Sequence, residues 1–422
     1  MTAPSDAGAH RGDAYHALRQ RHLQEMRQLL PEHLDRVAWS REELAAERLR
    51  RLRHLLRVAK ARSSWHRERL SGVDPERFRE EDLASVPAMT KEELMESFDD
   101  VLTEPSLTLE RVEDHLDDLE EGPAYLPGGY QAITSSGSSG RRGVFVYDFR
   151  GWTEKFLGWI RYLVREIGTG KRFAIVAGGS PSHGSRLLLQ TFSDPEVFDV
   201  RPLPTVLPQE RIVQGLNALQ PEVLAGYATA IGALSPAAAE GRLRIQPRAV
   251  VTGGEPLLPE LRALIEQAWR VPVHDWWLSS EAGAMGIGCG RGDALHLSDD
   301  LLIVEPVDRH GNPVPPGEAA AKIYVTNLFN TALPLIRYEM SDEVTLLPET
   351  GTACGCGSQH RRVAAVQGRV DDAFVYAGGP IVHPHVFRAP LGRQRDVIEY
   401  QVRQTSDGAA VSIVTGGRTD LD

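Results

Sequence analysis

The chain has 422 residues, a formal net charge of −11 and a hydrophobic fraction of 41%, the proportions of an ordinary water-soluble protein with room for more than one domain. That acidic balance argues against nucleic acid as a partner, and no apolar run reaches the ~18 residues of a membrane span. Three cysteines and an N-terminus without a signal-peptide core fit a reducing, cytoplasmic setting rather than a disulfide-stapled secreted one.

Residues 1–12 are polar and are expected to form a disordered tail. Over 41–70 the pattern is helical, with Leu44, Leu49, Leu52, Leu55, Leu56 and Ala59 at near-helical spacing. The interleaved arginines (Arg48, Arg50, Arg51, Arg53 and Arg57) predict a solvated helix face rather than a nucleic-acid patch. Helix starts follow near Asp82 and at Thr90, where the Thr90 hydroxyl and the Glu93 carboxylate can cap the first turn reciprocally.

The most telling stretch is Thr134, Ser135, Ser136, Gly137, Ser138, Ser139, Gly140, Arg141, Arg142 and Gly143, which leads straight into the strand-like run Val144–Tyr147. Glycines let a backbone approach a bulky anion, and successive N–H groups of such a turn form an anion nest to which serine hydroxyls add donors. A Gly/Ser linker would share this composition, but it has no need of an arginine pair and an immediate strand. The loop predicts phosphate binding. It is not the ATPase-type loop, because no Gly-Lys-Ser/Thr ending is present. In so acidic a chain, local donors and a metal ion must hold the anion.

Strands then alternate with helices. Strands are predicted over 173–177, 223–225 and 248–252, each followed by glycine: Gly178 and Gly179, then Gly226, then Gly253 and Gly254. Helices are expected around Leu187, Leu188 and Leu189, after Tyr227, and over 259–270, the last burying Leu261, Leu264, Ile265, Ala268 and Trp269. The alternation implies an α/β fold with a parallel or mixed sheet covered on both faces. Past Asp299 the character turns to β, over 301–305, 322–327, 343–347 and 363–366, and a tail hairpin is expected with Asp407 and Gly408 in its turn.

The cysteines, Cys289, Cys354 and Cys356, are all flanked by glycine, and His296 lies shortly after Cys289. A Cys-x-Cys pair cannot easily close an unstrained disulfide, yet two thiolates so spaced can grip one metal. Cys289, His296, Cys354 and Cys356 are therefore a candidate structural Zn²⁺ set, with His360 as an alternative fourth ligand and buried free thiols as the competing reading.

Five segments in one order (135–142, 253–256, 277–281, 336–342 and 368–372) resemble the acyl-adenylate-forming ligases, specifically their phenylacetate–coenzyme A ligase branch. The resemblance implies a large N-terminal domain over 13–370, built of mixed, helix-flanked sheets with a β-rich subdomain. A small α+β C-terminal domain over 371–422 would follow a hinge at Asp372. It further implies ATP-dependent activation of a carboxylic acid as an acyl-adenylate, Mg²⁺ on the phosphates, coenzyme A as a co-substrate, and a homodimer. By the same resemblance Ser136, Ser138 and Ser139 hold phosphate, with Ser135, Gly137, Gly140 and Arg141 completing the loop. Gly253, Gly254, Glu255 and Pro256 line the adenine and Trp277 lies against it. Glu281, in the motif with Ser279 and Ser280, helps to hold Mg²⁺, Asp342 accepts both ribose hydroxyls, and Arg369 stands near ribose and phosphate. Tyr147, His183, Tyr227 and Met285 fall near the motifs that surround the acyl group, and their character suggests an aryl or otherwise hydrophobic acid.

The sequence departs from the family in one respect. The family's small domain carries a lysine that assists adenylation, whereas the lysines here are Lys60, Lys91, Lys155, Lys171 and Lys322, none beyond the hinge. Only residues 373–422 follow Asp372, so the small domain is expected to be partial. Two alternatives therefore stay open beside thioester formation: transfer of the adenylate to an amine, and a non-catalytic acyl- or nucleotide-binding relative.

Overall fold

A computed structural model describes residues 6–119, 122–135, 143–177, 184–205, 207–349, 354–364, 366, 374–376, 381–382 and 397–415. The N-terminal part is helical: α1 (Asp6–Arg36), α2 (Arg41–Arg62), α3 (Ser64–Arg69), α4 (Lys91–Glu96), α5 (Phe98–Val101) and α6 (Leu109–Asp118). Residues 6–12 thus open a helix instead of belonging to a disordered tail. Helix formation is cooperative, and the later turns of α1 are docked through Leu23, Met26 and Leu30, so the polar first turns can propagate from them. The expected cap forms, a reciprocal box of Thr90 with Glu93 on α4, and a second such box, of Ser40 with Glu43, opens α2. The apolar stripe of α2 packs Leu52, Leu55 and Leu56 against Ile303, Leu328 and Ile336. Its arginine face is only partly solvated: Arg50 and Arg57 are exposed, but Arg51 is buried and bonds Glu47 and Glu154.

Strands β1 (Gln131–Thr134) and β2 (Val144–Tyr147) pair antiparallel around the serine–glycine loop. From there α7 (Phe149–Ile167), β3 (Lys171–Ala177), α8 (Gly184–Phe192), β4 (Phe198–Pro204), α9 (Gln209–Leu219), β5 (Val223–Gly226), α10 (Ala228–Ala239), β6 (Ala249–Gly253), α11 (Pro259–Trp269) and β7 (Val273–Ser279) alternate as the glycine-punctuated pattern predicts. Strands β4, β3, β5, β6 and β7 run parallel in that order, so the chain moves one way from β3 to β4 and the other way to β5. Such a reversal opens a crevice at the carboxyl ends of the strands, where ligands of open α/β sheets bind. Strand positions are apolar on both faces because both are covered: Phe173, Val223 and Val251 meet the α7 side, while Leu224, Val250 and Val273 meet α9 to α11. Gly226 is required by contact, since a Cβ there would lie 2.2 Å from the Val176 carbonyl oxygen. Helix α11 buries Ile265 but leaves Leu264 39% exposed, so its apolar face is narrower than its spacing suggests. As an outer-layer helix it presses Leu261 on Gly232 of α10 and carries Leu264 at the rim of that contact.

Strands β8 (Gly283–Gly288), β9 (Leu295–Leu297) and β15 (Arg362–Val363) extend the same sheet in antiparallel fashion. A separate antiparallel sheet holds β10 (Leu302–Val307), β12 (Lys322–Asn327) and β13 (Tyr338–Met340), and β11 (Ala319–Ala320) pairs with β14 (Val344–Thr345). Further along, β16 (Phe374–Val375) pairs with β17 (Ile381–Val382), and the expected hairpin forms from β18 (Val397–Gln404) and β19 (Ala409–Thr415). Among the described residues no helix is long and apolar enough to cross a membrane.

A buried ionic cluster fixes α7 against the N-terminal helices. Arg161 donates to Asp300 at 2.7 Å, Arg51 to Glu154 at 3.2 Å, and His33 lies 3.2 Å from Glu154. Burial alone would raise the Glu154 pKa, but Arg51 and the His33 hydrogen bond carry it well below the ordinary carboxylate range. A single unpaired charge at this depth would cost several kcal/mol, so the network favours one placement of the helix.

Candidate functional site

The crevice at the strand ends is a cavity of about 290 Å³. Its rim gathers segments that the sequence separates widely: Ser135 after β1, Tyr227 after β5, Gly253, Gly254, Glu255 and Pro256 after β6, and Trp277, Ser279, Ser280 and Glu281 at the end of β7. Asp342, two residues beyond β13, completes it. Eleven of the twenty-one non-metal residues expected at the site thus line one cavity. Ser136, Gly137, Ser138, Ser139, Gly140, Arg141, His183 and Arg369 lie outside the described residues.

Each rim group is held by local chemistry. Ser135 donates its N–H to the Gly143 carbonyl at 2.9 Å, and its hydroxyl accepts the Gly143 N–H at 3.0 Å, which closes the loop's base. Gly254 takes φ +79 and packs against the Tyr227 ring, so the turn after β6 presents backbone rather than side chain. Ser279 accepts the Ala282 N–H at 2.9 Å and Ser280 donates to the Thr134 carbonyl at 3.2 Å, tying the β7 turn to β1. Glu281 and Asp342 are 4% and 5% exposed, two carboxylates near one another's cavity in a largely dry wall. The Trp277 indole N–H donates to Asp342 Oδ1 at 3.0 Å and so orients that carboxylate.

Two expected pocket residues do not face the cavity. Tyr147 is fully buried, its ring packed near Trp152 and Phe329 and its hydroxyl donating to the carbonyls of Ser280 and Glu281. A phenol whose hydroxyl is satisfied by main chain serves the core. Met285 likewise sits inside β8 with no exposure. Both are fully buried and lie outside the cavity lining.

The inner wall was missed from sequence. It consists of Phe156, Trp159 and Ile160 on α7, Leu189 on α8, and Phe173, Phe198, Val251 and Trp276 on the sheet. Trp159 and Trp276 rings lie 6.5 Å apart. The spacing of Trp152, Phe156, Trp159, Ile160 and Leu163 was available as a helical stripe, though nothing in it distinguishes a cavity wall from plain core. Two ionisable groups also enter the lining. Burial pushes the Asp275 carboxyl up to about 6, against a 3.0 Å hydrogen bond from Thr252. Burial pulls the Lys155 ammonium down to about 7, against the upward pull of Glu281.

The cysteine–histidine set comes together as read. The ligand atoms of Cys289, His296, Cys354 and Cys356 lie within 4.8 Å of one another. Cys289 Sγ to Cys354 Sγ is 3.7 Å and Cys356 Sγ to His296 Nε2 is 3.4 Å. The first separation is far too long for a disulfide and matches the edge of about 3.8 Å expected of a tetrahedron with Zn–S bonds of about 2.3 Å. His360, the alternative ligand, is engaged elsewhere: its Nδ1 lies 2.9 Å from the Leu297 carbonyl and its Nε2 3.1 Å from the Arg36 carbonyl.

No family model matches the chain. It is 28% identical over 162 residues to a phenylacetate–coenzyme A ligase of Thermus thermophilus, covering 37% of this chain and 36% of that protein. It is 26% identical over 229 residues to a phenylacetate–coenzyme A ligase of Pseudomonas putida, covering 51% and 48%. Protein CapK of Staphylococcus aureus is 27% identical over 213 residues, covering 49% and 45%. The chain thus spans less than half the length of these curated relatives. In fold it matches a 2-hydroxyisobutyryl–coenzyme A ligase solved in the postadenylation state, with a TM-score of 0.67 at 19% identity, over 90% of this chain and 79% of that one. In sequence the chain is thus similar to phenylacetate–coenzyme A ligases, and it shares the fold of a 2-hydroxyisobutyryl–coenzyme A ligase.

Proposed function

We propose that this chain activates a carboxylic acid with ATP as an acyl-adenylate and passes the acyl group to the thiol of coenzyme A. The observation that carries the reading is the convergence of Ser135, Gly253 to Pro256, Trp277, Glu281 and Asp342 on one cavity. In this reading Asp342 accepts the vicinal hydroxyls of the ribose, a pairing that two carboxylate oxygens suit. The Gly254 turn admits the adenine edge, and the loop begun by Ser135 cradles the phosphates. Glu281 offers the hard oxygen that Mg²⁺ favours, and its burial beside the cavity fits that donor role. The ion's contribution is charge neutralisation on the phosphates.

The chemistry joins two anions, so positioning does most of the work. An oxygen of the acid's carboxylate attacks the α-phosphorus, the bond from that phosphorus to the bridging oxygen breaks, and pyrophosphate departs. The apolar inner wall would bury the body of an aryl or similarly hydrophobic acid and keep water from the mixed anhydride. Cys289, His296, Cys354 and Cys356 would hold one structural Zn²⁺ at the antiparallel end of the sheet, outside the cavity lining. The domain boundary near Asp372, cytoplasmic residence and a homodimer complete the proposal.

The test is release of AMP across a panel of aryl, branched and straight-chain acids, with and without coenzyme A. Acid-dependent AMP together with a thioester supports the reading. ATP binding with no acid-dependent AMP from any member would replace it with a nucleotide-binding relative.

A further inference from the structure

Lys155 is 1% exposed, on the first half of α7, where it reaches the cavity wall from behind. Its Nζ donates to the Tyr147 hydroxyl at 2.8 Å, the Ser279 carbonyl at 3.2 Å and the Ser280 carbonyl at 3.0 Å. An ammonium has three N–H groups, and all three are thereby used. The Tyr147 hydroxyl in turn donates toward the carbonyls of Ser280 and Glu281, and Asn327 Nδ2 donates to the Glu281 carbonyl at 3.1 Å. Three side chains from α7, β2 and β12 therefore hold three consecutive carbonyls, those of Ser279, Ser280 and Glu281. The lysine stem is wedged beneath the same turn: Gly283 takes φ +72, and a Cβ there would stand 3.0 Å from Lys155 Cγ.

This arrangement acts on Glu281 through its backbone. Pinning the carbonyls on either side of its N–H fixes the main chain from which its side chain departs.

We propose that Lys155, with Tyr147 as relay, is a positioning residue that aims Glu281 toward the magnesium-bound phosphates. It acts through Glu281 and does not itself grip nucleotide, since its three donors are already committed. The proposal rests on the assignment of Glu281 given above.

The test is calorimetric binding of ATP with and without Mg²⁺, which needs no turnover, for the wild type, Lys155→Met, Tyr147→Phe, Glu281→Gln and Lys155→Met/Glu281→Gln. Magnesium should tighten ATP by about tenfold or more in the wild type, and Lys155→Met should lose most of that gain while magnesium-free affinity stays within about threefold. Tyr147→Phe should show a smaller loss of the same kind, which keeps the proposal testable if Lys155→Met folds poorly. Because one path is removed twice, the double variant should be no worse than Glu281→Gln. Retention of the magnesium gain in Lys155→Met, with Glu281→Gln losing it, overturns the role of Lys155 alone. Equal weakening with and without magnesium also overturns it, in favour of direct phosphate contact. A wild type that binds ATP without a magnesium effect overturns the Glu281 assignment and this proposal together.

Discussion

The rim and the inner wall of the cavity are built from different materials. At the rim, backbone turns, short polar side chains and carboxylates stand beside the Tyr227 and Trp277 rings: the Gly254 turn, the base of the serine loop at Ser135, the serines of the β7 turn, and the buried Glu281 and Asp342. At the inner wall it is bulky apolar side chains from one helix and from alternate strand positions, with Trp159 and Trp276 the largest. A backbone surface offers fixed dipoles and close approach, which suits a phosphate ester and a purine edge that are the same in every reaction of this kind. A side-chain surface offers shape, which can change by substitution without disturbing the main chain. Under the proposed function, the difference assigns the fixed chemistry to the rim and the choice of acid to the inner wall.

Metal removal is the largest expected perturbation and should spare this division. Purified protein is expected to carry about one zinc per chain, and a strong chelator should lower the melting temperature, because binding energy at a closed site is folding energy. Cys289, His296, Cys354 and Cys356 lie on the antiparallel end of the sheet and are not in the cavity lining. ATP affinity of the molecules that remain folded should therefore stay unchanged. A chelated protein that keeps its melting temperature would return these cysteines to plain buried thiols. Next in size is Asp342→Ala, which acts at the rim. It removes one charged acceptor, leaves the Trp277 N–H without its partner, and should weaken ATP by on the order of 2 kcal/mol, about thirtyfold. Titration of ATP in the absence of any acid measures this directly, and an unaltered affinity would remove the ribose from Asp342.

The same division explains what could be read from sequence. Rim residues sit in short contiguous motifs at strand ends, because turns of fixed geometry need particular residue types in a fixed order. Gly253, Gly254, Glu281 and Asp342 were legible for that reason, and so was the strand–helix alternation that orders them. Inner-wall residues are spaced by helical or strand periodicity, a pattern that every buried element shares, so Trp159 and Phe198 carried no mark of their own. Tyr147 and Met285 show the same ambiguity: proximity in sequence to a motif says nothing about which face of a strand a residue occupies, and here both are buried outside the cavity lining. Lys155 illustrates a third case. One lysine in an otherwise aromatic helix face is visible in the sequence, but its partners on β2 and the β7 turn are brought to it only by the fold.

Trp159→Ala tests the inner wall with the smallest expected effect. Trp159 is 8% exposed, faces Trp276 across the cavity wall and belongs to α7, whose position is independently fixed by the Arg161–Asp300 and Arg51–Glu154 pairs. Helix α7 should therefore stay in place when the indole is removed, and the cavity should enlarge rather than collapse, since packed cores relax only partially around deletions. For the acid that the wild type prefers, KM should rise by about tenfold, as apolar contact is lost without a change at the phosphates. Bulkier acids should lose less or gain. ATP affinity should be indistinguishable from wild type, because the indole removed belongs to the apolar inner wall. If ATP affinity falls along with acid selectivity, the two ends of the cavity share one support, and the separation of chemistry from selection would have to be abandoned.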